Sequence, residues 1–158
     1  MTGQDTPPPG GRTLVGWREW VHLPDLLDGG WIKAKVDTGA RTSALHAWDV
    51  EHFERDGVGW LRFFLHPRQH DDDHVVRAEA QLVEQREVRS SNGDVELRPV
   101  VRTTLALGAQ RYDMELTLTN RDQMGFRMLL GRTGMARRLV VDPGSSYLLG
   151  GDRHRPPG

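Results

Sequence analysis

Apolar and polar residues alternate with a period of two through most of the chain, in runs of three to fourteen residues. That spacing places alternate side chains on opposite faces of a strand. It predicts strands over 13–21, 31–36, 42–48, 60–65, 75–88, 95–107, 110–119, 128–130 and 139–141, and a last one over 147–149. In the second run Trp31, Ala34 and Val36 are apolar around Lys33 and Lys35. Asn92-Gly93 lies between two runs and signals a tight hairpin, because both turn positions need positive φ. Gly108 marks a second hairpin, and the only helical signal is a short turn from Thr133 through Met135 to Arg138. Many short strands joined by turns imply a mostly β protein closing into a β-barrel.

The ends differ from the middle. Residues 1–12 carry three consecutive prolines and several glycines and read as a disordered N-terminal segment; residues 151–158 read as a disordered tail, leaving one domain over 13–150. The polar segment from His66 to His74 contains Pro67 and reads as an exposed loop.

Composition narrows the chemistry. The 21 basic and 22 acidic residues leave a net charge of −1, too little field to hold nucleic acid or an anionic membrane. The only lysines are Lys33 and Lys35, so positive charge comes almost wholly from arginine, whose planar fork suits carboxylates. There is no cysteine, which excludes disulfides, thiolate metal sites and cysteine nucleophiles. No apolar run reaches the length of a leader peptide or a membrane span, and the expected location is the cytoplasm.

The sharpest motif is Val36-Asp37-Thr38-Gly39-Ala40, a carboxylate on a turn at the end of an apolar strand. Gly39 lets that turn close, Thr38 offers a hydroxyl to lock it, and Ala40 adds no donor. A carboxylate with few donors aimed at it is easier to protonate, and two such groups held together share one proton. Asp-Thr-Gly alone also fits a plain capped turn. Downstream, Leu129-Leu130-Gly131-Arg132 is followed by Thr133-Gly134. This order, an Asp-Thr-Gly-Ala turn, a hairpin, then two hydrophobic residues and glycine, resembles retroviral-type aspartic peptidases.

The stretch from Lys35 to Ala47, with Arg89-Ser90-Ser91-Asn92-Gly93, Arg98-Pro99-Val100, Leu116 to Arg121 and Val141-Asp142-Pro143, is similar to one bacterial branch of that fold, the family named ATP-dependent zinc protease. The similarity covers about residues 14–150. It implies a retropepsin-like closed barrel with a flap hairpin and one short helix. It also implies a peptide or protein substrate, and an association with ATP-grasp ligases that add glutamate. By the same resemblance Asp37 is the catalytic carboxylate, Thr38 interlocks two active-site loops and Gly39 offers its carbonyl to substrate. Ala40, Arg41, Ser91, Asn92, Gly93 and Arg98 line the substrate, with Asn92-Gly93 at the flap tip. Leu130, Gly131 and Arg132 support the loop. The link from Asp49 to Val76 is longer than in the viral enzymes.

The family name brings ATP and zinc, but the chain has neither a Gly-rich P-loop ending in Lys-Ser/Thr nor a His-Glu-x-x-His helix. No cofactor is therefore expected. His66, His70 and His74, with His46, His52 and Asp71 to Asp73, are the residues a zinc ion would need, although they read better as a solvated loop. One Asp-Thr-Gly supplies one carboxylate and the chemistry needs two, so a homodimer is expected. Asp142-Pro143-Gly144 echoes the motif but reads as an ordinary turn. The expected activity is an aspartic-type peptidase cutting peptide or isopeptide bonds, with glutamate-rich tails as a candidate substrate, through a water between two Asp37 residues. The alternatives are a non-catalytic peptide- or ligase-binding module and a zinc-dependent hydrolase.

Overall fold

A computed structural model describes residues 11–27, 30–67, 74–89, 93–120 and 125–150. In chain order the strands are β1 (Thr13–Val15), β2 (Arg18–His22), β3 (Trp31–Val36), β4 (Ala44–His46), β5 (Trp48–Arg55), β6 (Val58–Leu65), β7 (Val76–Arg89), β8 (Val95–Leu107), β9 (Gln110–Thr119), β10 (Met128–Leu130) and β11 (Leu139–Val141). A single 3₁₀ turn, Arg132–Gly134, follows β10.

Nine strands form one sheet in the order β2-β3-β10-β4-β9-β8-β7-β6-β5, and β2 also pairs with β8. The second contact, His22 opposite Ala106, closes six of the strands into a barrel. β7, β6 and β5 extend from it as an antiparallel arm. Leu45, Leu116, Met128 and Leu130 fill the core beneath the Asp37 turn and are 0% exposed. Burying one such side chain contributes roughly 1.5–3 kcal/mol.

β3 and β4 flank the Asp37 turn in sequence, yet they are not neighbours. β10 lies between them, parallel to β3 and antiparallel to β4. The chain thus returns some ninety residues later to thread beneath its own loop, and Gly131 makes this possible. A Cβ there would lie 2.4 Å from the Thr42 carbonyl oxygen, so no larger residue fits without moving backbone.

The expected strand over 13–21 is broken in two. Gly16 donates its N–H to Glu19 Oε2 (2.7 Å), and a Cβ on Gly16 would meet the Ser145 carbonyl oxygen at 2.2 Å. β1 therefore leaves to pair with β11 in a separate two-stranded sheet, while β2 pairs with β3. The expected strand over 42–48 shortens to β4 and breaks at Ala47, and β5 is irregular at Asp49 (φ 52°), where its register with β6 shifts between Trp48 and Glu51. The strand expected over 147–149 does not form. Tyr147 has φ 55°, and the N–H groups of Leu148 and Leu149 donate to the Glu19 carboxylate (2.9 and 3.2 Å) instead of to a strand. Part of the expected 66–74 loop, residues 68–73, lies outside the described residues, as do Ser91 and Asn92.

Candidate active site

Asp37 stands at the end of β3, half-buried, with Thr38 and Gly39 exposed beyond it. Its N–H donates to the Leu130 carbonyl at 2.9 Å, tying the turn to β10. Its Oδ1 accepts the Gly39 N–H at 2.9 Å, and its carbonyl accepts the Ala40 N–H at 3.2 Å. The side chain is fixed by one short local bond, and among the described residues no donor reaches Oδ2. A carboxylate presented this way can hold a water and exchange a proton with a second acid.

The support expected from Leu130, Gly131 and Arg132 is present as geometry. Gly131 N–H donates to Ser43 Oγ (2.9 Å), Arg132 N–H to the Ala40 carbonyl (2.8 Å), and Thr133 N–H to the Arg41 carbonyl (3.0 Å). Arg132 Nη1 reaches across to the Thr38 carbonyl at 2.9 Å. Four bonds thus pin residues 38–43 to the segment after β10.

Two cavities adjoin this loop. On one side Arg41, Thr42 and Thr133 face Arg86, Val88 and Arg89 of β7 across a groove of about 500 Å³. Arg86 bonds both Glu84 and Glu115, and these partners push its pKa up, so its charge is secure. On the other side Thr38, Arg132, Met135, Ala136, Leu139 and Val141 line a mainly apolar hollow of about 350 Å³.

The remaining expected site residues are dispersed. Gly93 (φ 90°) sits at the far end of the β7–β8 hairpin, where its carbonyl accepts from Arg89 Nη1 at 3.2 Å. Arg98 does not line the groove beside Asp37. It lies in a separate cavity with Trp48, Pro99 and Thr119. Sequence reading missed Arg86, whose place in the groove depends on β7 lying beside β8 and β8 beside β9.

His66 stacks on Trp48 at 4.2 Å between ring centroids and lies 6.1 Å from the His46 ring. Among the described residues no group of three or more His, Asp or Glu side chains is arranged to hold a metal ion. Asp142 forms the ordinary turn expected: Oδ1 accepts the Gly144 N–H (3.0 Å) and Oδ2 the Ser145 hydroxyl (2.7 Å). These two donors hold its pKa below the usual carboxylate value, with the hydroxyl the larger influence. No helix among the described residues is long and apolar enough to cross a membrane.

A six-strand closed barrel, an Asp-Thr-Gly turn at a strand end, and a hydrophobic-Gly strand threaded beneath that turn together define a retropepsin-type domain. The comparisons refine the class: the family model described as "RimB-like: Retropepsin-like aspartic endopeptidase RimB" matches residues 14–150, and the chain belongs to that family. It is similar to proteins named "Probable alpha-L-glutamate ligase" from Shewanella halifaxensis (strain HAW-EB4), 44% identical, and Parasynechococcus marenigrum (strain WH8102), 49% identical, over 139 residues in each case. The match takes in 88% of this chain and 30% of those proteins, so the chain spans under a third of their length. Among solved structures it is similar to a protein of unknown function, Lpg0085, from Legionella pneumophila subsp. pneumophila str. Philadelphia 1. The TM-score is 0.71 and the identity 28%, over 87% of this chain and 98% of that one.

Proposed function

We propose that this protein is an aspartic-type endopeptidase acting on acidic, glutamate-rich polypeptides through a dyad of Asp37 and the same residue of a second copy. The observation that carries this is the Asp37 turn: a half-buried carboxylate with one local bond, on a loop pinned by four bonds to the segment that follows the strand beneath it. In the reaction the ionised carboxylate takes a proton from water, whose oxygen bonds to the scissile carbonyl carbon. The protonated carboxyl gives its proton to the carbonyl oxygen. Collapse of the resulting diol breaks the C–N bond as the nitrogen takes a proton. Nothing in this chemistry separates a peptide from an isopeptide bond.

Two features support the dimer. Leu14 and Val140 are paired across β1 and β11, and are 52% and 48% exposed. The apolar hollow beside Thr38 is walled by Leu139 and Val141 of the same sheet. An acidic substrate is supported by Arg41 and Arg89 beside Arg86 along the groove, whose lining also holds Glu87 and Glu115, and by relatives whose names concern glutamate ligation. The absence of cysteine suits the cytoplasm, where disulfides are rare.

The test is cleavage of a synthetic glutamate-rich peptide, followed by mass spectrometry. Asp37→Asn should lower the rate by at least about a hundred-fold with the fold intact, the low end for losing general acid–base catalysis. Wild-type rates in that variant would overturn the proposal. The relatives' ligase names favour a second reading, a substrate- or ligase-binding module that does not cut, in which wild type also fails to cleave. A zinc-dependent hydrolase would instead carry stoichiometric zinc on metal analysis and lose activity to chelators.

A further inference from the structure

A second cavity, separate from the arginine groove, lies where β8 meets the end of β9 and the start of β5. It measures about 200 Å³, with Ala47, Trp48, Val50, Leu97, Pro99 and Leu118 as its apolar walls. Arg98 and Thr119, also in the lining, are 9% and 3% exposed. Arg98 Nε and Thr119 Oγ1 are both buried with no hydrogen-bond partner. Leaving a buried donor unpaired is costly, and the cost is greater for a charged group. Two such groups in one small cavity call for a ligand that supplies the acceptors.

The chemistry of that ligand follows from the guanidinium. Nε and Nη2 form its side-on edge, which matches the two oxygens of a carboxylate. At present that edge is half used: Nη2 donates to Glu96 Oε2 at a long 3.3 Å, and the Glu96 side chain is 45% exposed, so it can swing into solvent. Asp49 and Asn120 are the other polar residues of the lining, and both are exposed. The apolar walls suit the short methylene stem behind a carboxylate.

We infer that this cavity is a carboxylate-binding subsite in which Arg98 holds the group side-on, Thr119 donates its hydroxyl, and Glu96 is displaced on binding. The strand register locates the subsite relative to the loop. Val100, Thr117 and Ala44 pair across β8, β9 and β4, and Ala44 is the first strand residue after the Asp37 loop. Arg98 and Thr119 lie two positions further along β8 and β9, about 7 Å beyond that row and on the side away from the loop, where Thr119 is level with His46. Resting on the acidic-substrate reading, the inference adds a second carboxylate contact in a cavity separate from the Arg41–Arg86 groove.

The test is calorimetric binding of penta-glutamate to the full chain carrying Asp37→Asn, so that nothing is cut. Thr119→Val keeps the side-chain shape and should weaken binding several-fold. Arg98→Gln should weaken it at least about ten-fold, as expected for a charged hydrogen-bonded pair. Glu96→Gln, which removes the competing carboxylate, should tighten it, and a merely structural Arg98 would not produce that gain. Penta-glutamate with an amidated terminus and penta-glutamine with a free terminus distinguish a side-chain carboxylate from a chain end. Should Arg98→Gln fail to fold, Thr119→Val and Glu96→Gln carry the test. Unaltered affinity in both, or no binding of penta-glutamate at millimolar concentration, overturns the inference. Cleavage by wild type with unaltered binding in the variants sinks the subsite alone, whereas the predicted binding pattern without wild-type cleavage sinks the peptidase reading alone.

Discussion

Asp37 and Glu19 are two acids of opposite use. Asp37 has one local bond and faces outward, which suits a group that must exchange protons. Glu19 is 0% exposed and accepts N–H bonds from Gly16, Leu148 and Leu149. It therefore ties the corner before β2 to the last described turn. Glu19→Ala would strand one buried N–H, of Gly16, and two part-buried ones, and should cost at least about 1 kcal/mol in urea unfolding. Glu19→Gln keeps one carbonyl acceptor and should cost less. The contrast marks what a sequence discloses about a site. Asp-Thr-Gly is local and readable, because residues 37–39 make their own turn. Glu19 gave no signal, because two of its partners lie about 130 positions away. Arg86 was missed for the same reason, and Arg98, expected beside the substrate, lies in a cavity separate from the groove next to the Asp37 loop.

Among the elements, β3, β8, β9, β10 and β11 formed over the lengths their alternation predicts. Each is backed by core on one face, so periodicity and burial agree. β5 was not foreseen: it is the last strand of the sheet order, no residue of it is fully buried, and an edge strand under so little constraint shows weak alternation. The passage of β10 between β3 and β4 is invisible to local pattern, since it joins segments some ninety residues apart. Gly131 was its one sequence trace. The segment after β10 is held by Tyr112, whose hydroxyl donates to the Gly134 carbonyl at 2.5 Å. Burial pushes the Tyr112 pKa up to about 12 from its usual 10.0, with Arg138 opposing the shift. The neutral phenol is the form the fold favours. Its contribution is whole below the unfolded value near 10 and is lost as pH rises toward 12. Unfolding midpoints measured across this interval should fall, and Tyr112→Phe should flatten that limb. An equally steep limb in the variant would assign the loss to other groups.

At the scale of the molecule, one barrel supplies one Asp37, and the β1–β11 sheet, whose Leu139 and Val141 share a hollow with Thr38, leaves Leu14 and Val140 exposed. The proposed two-fold pairing buries this surface. Leu14→Arg should shift sedimentation from dimer to monomer and remove cleavage together, while thermal stability at low concentration stays close to wild type. Loss of cleavage in a variant that remains dimeric would place the defect elsewhere.

The dyad itself is tested most directly by subunit mixing. Wild-type protein is re-equilibrated with a nine-fold excess of Asp37→Asn chains, and cleavage of the glutamate-rich peptide is followed. If the two carboxylates come from two copies, random pairing leaves about one wild-type subunit in ten with a wild-type mate, and activity should fall to about a tenth of its starting value. Activity unchanged by the excess, with subunit exchange verified by labelled chains, would show that each chain acts alone and would contradict the shared dyad.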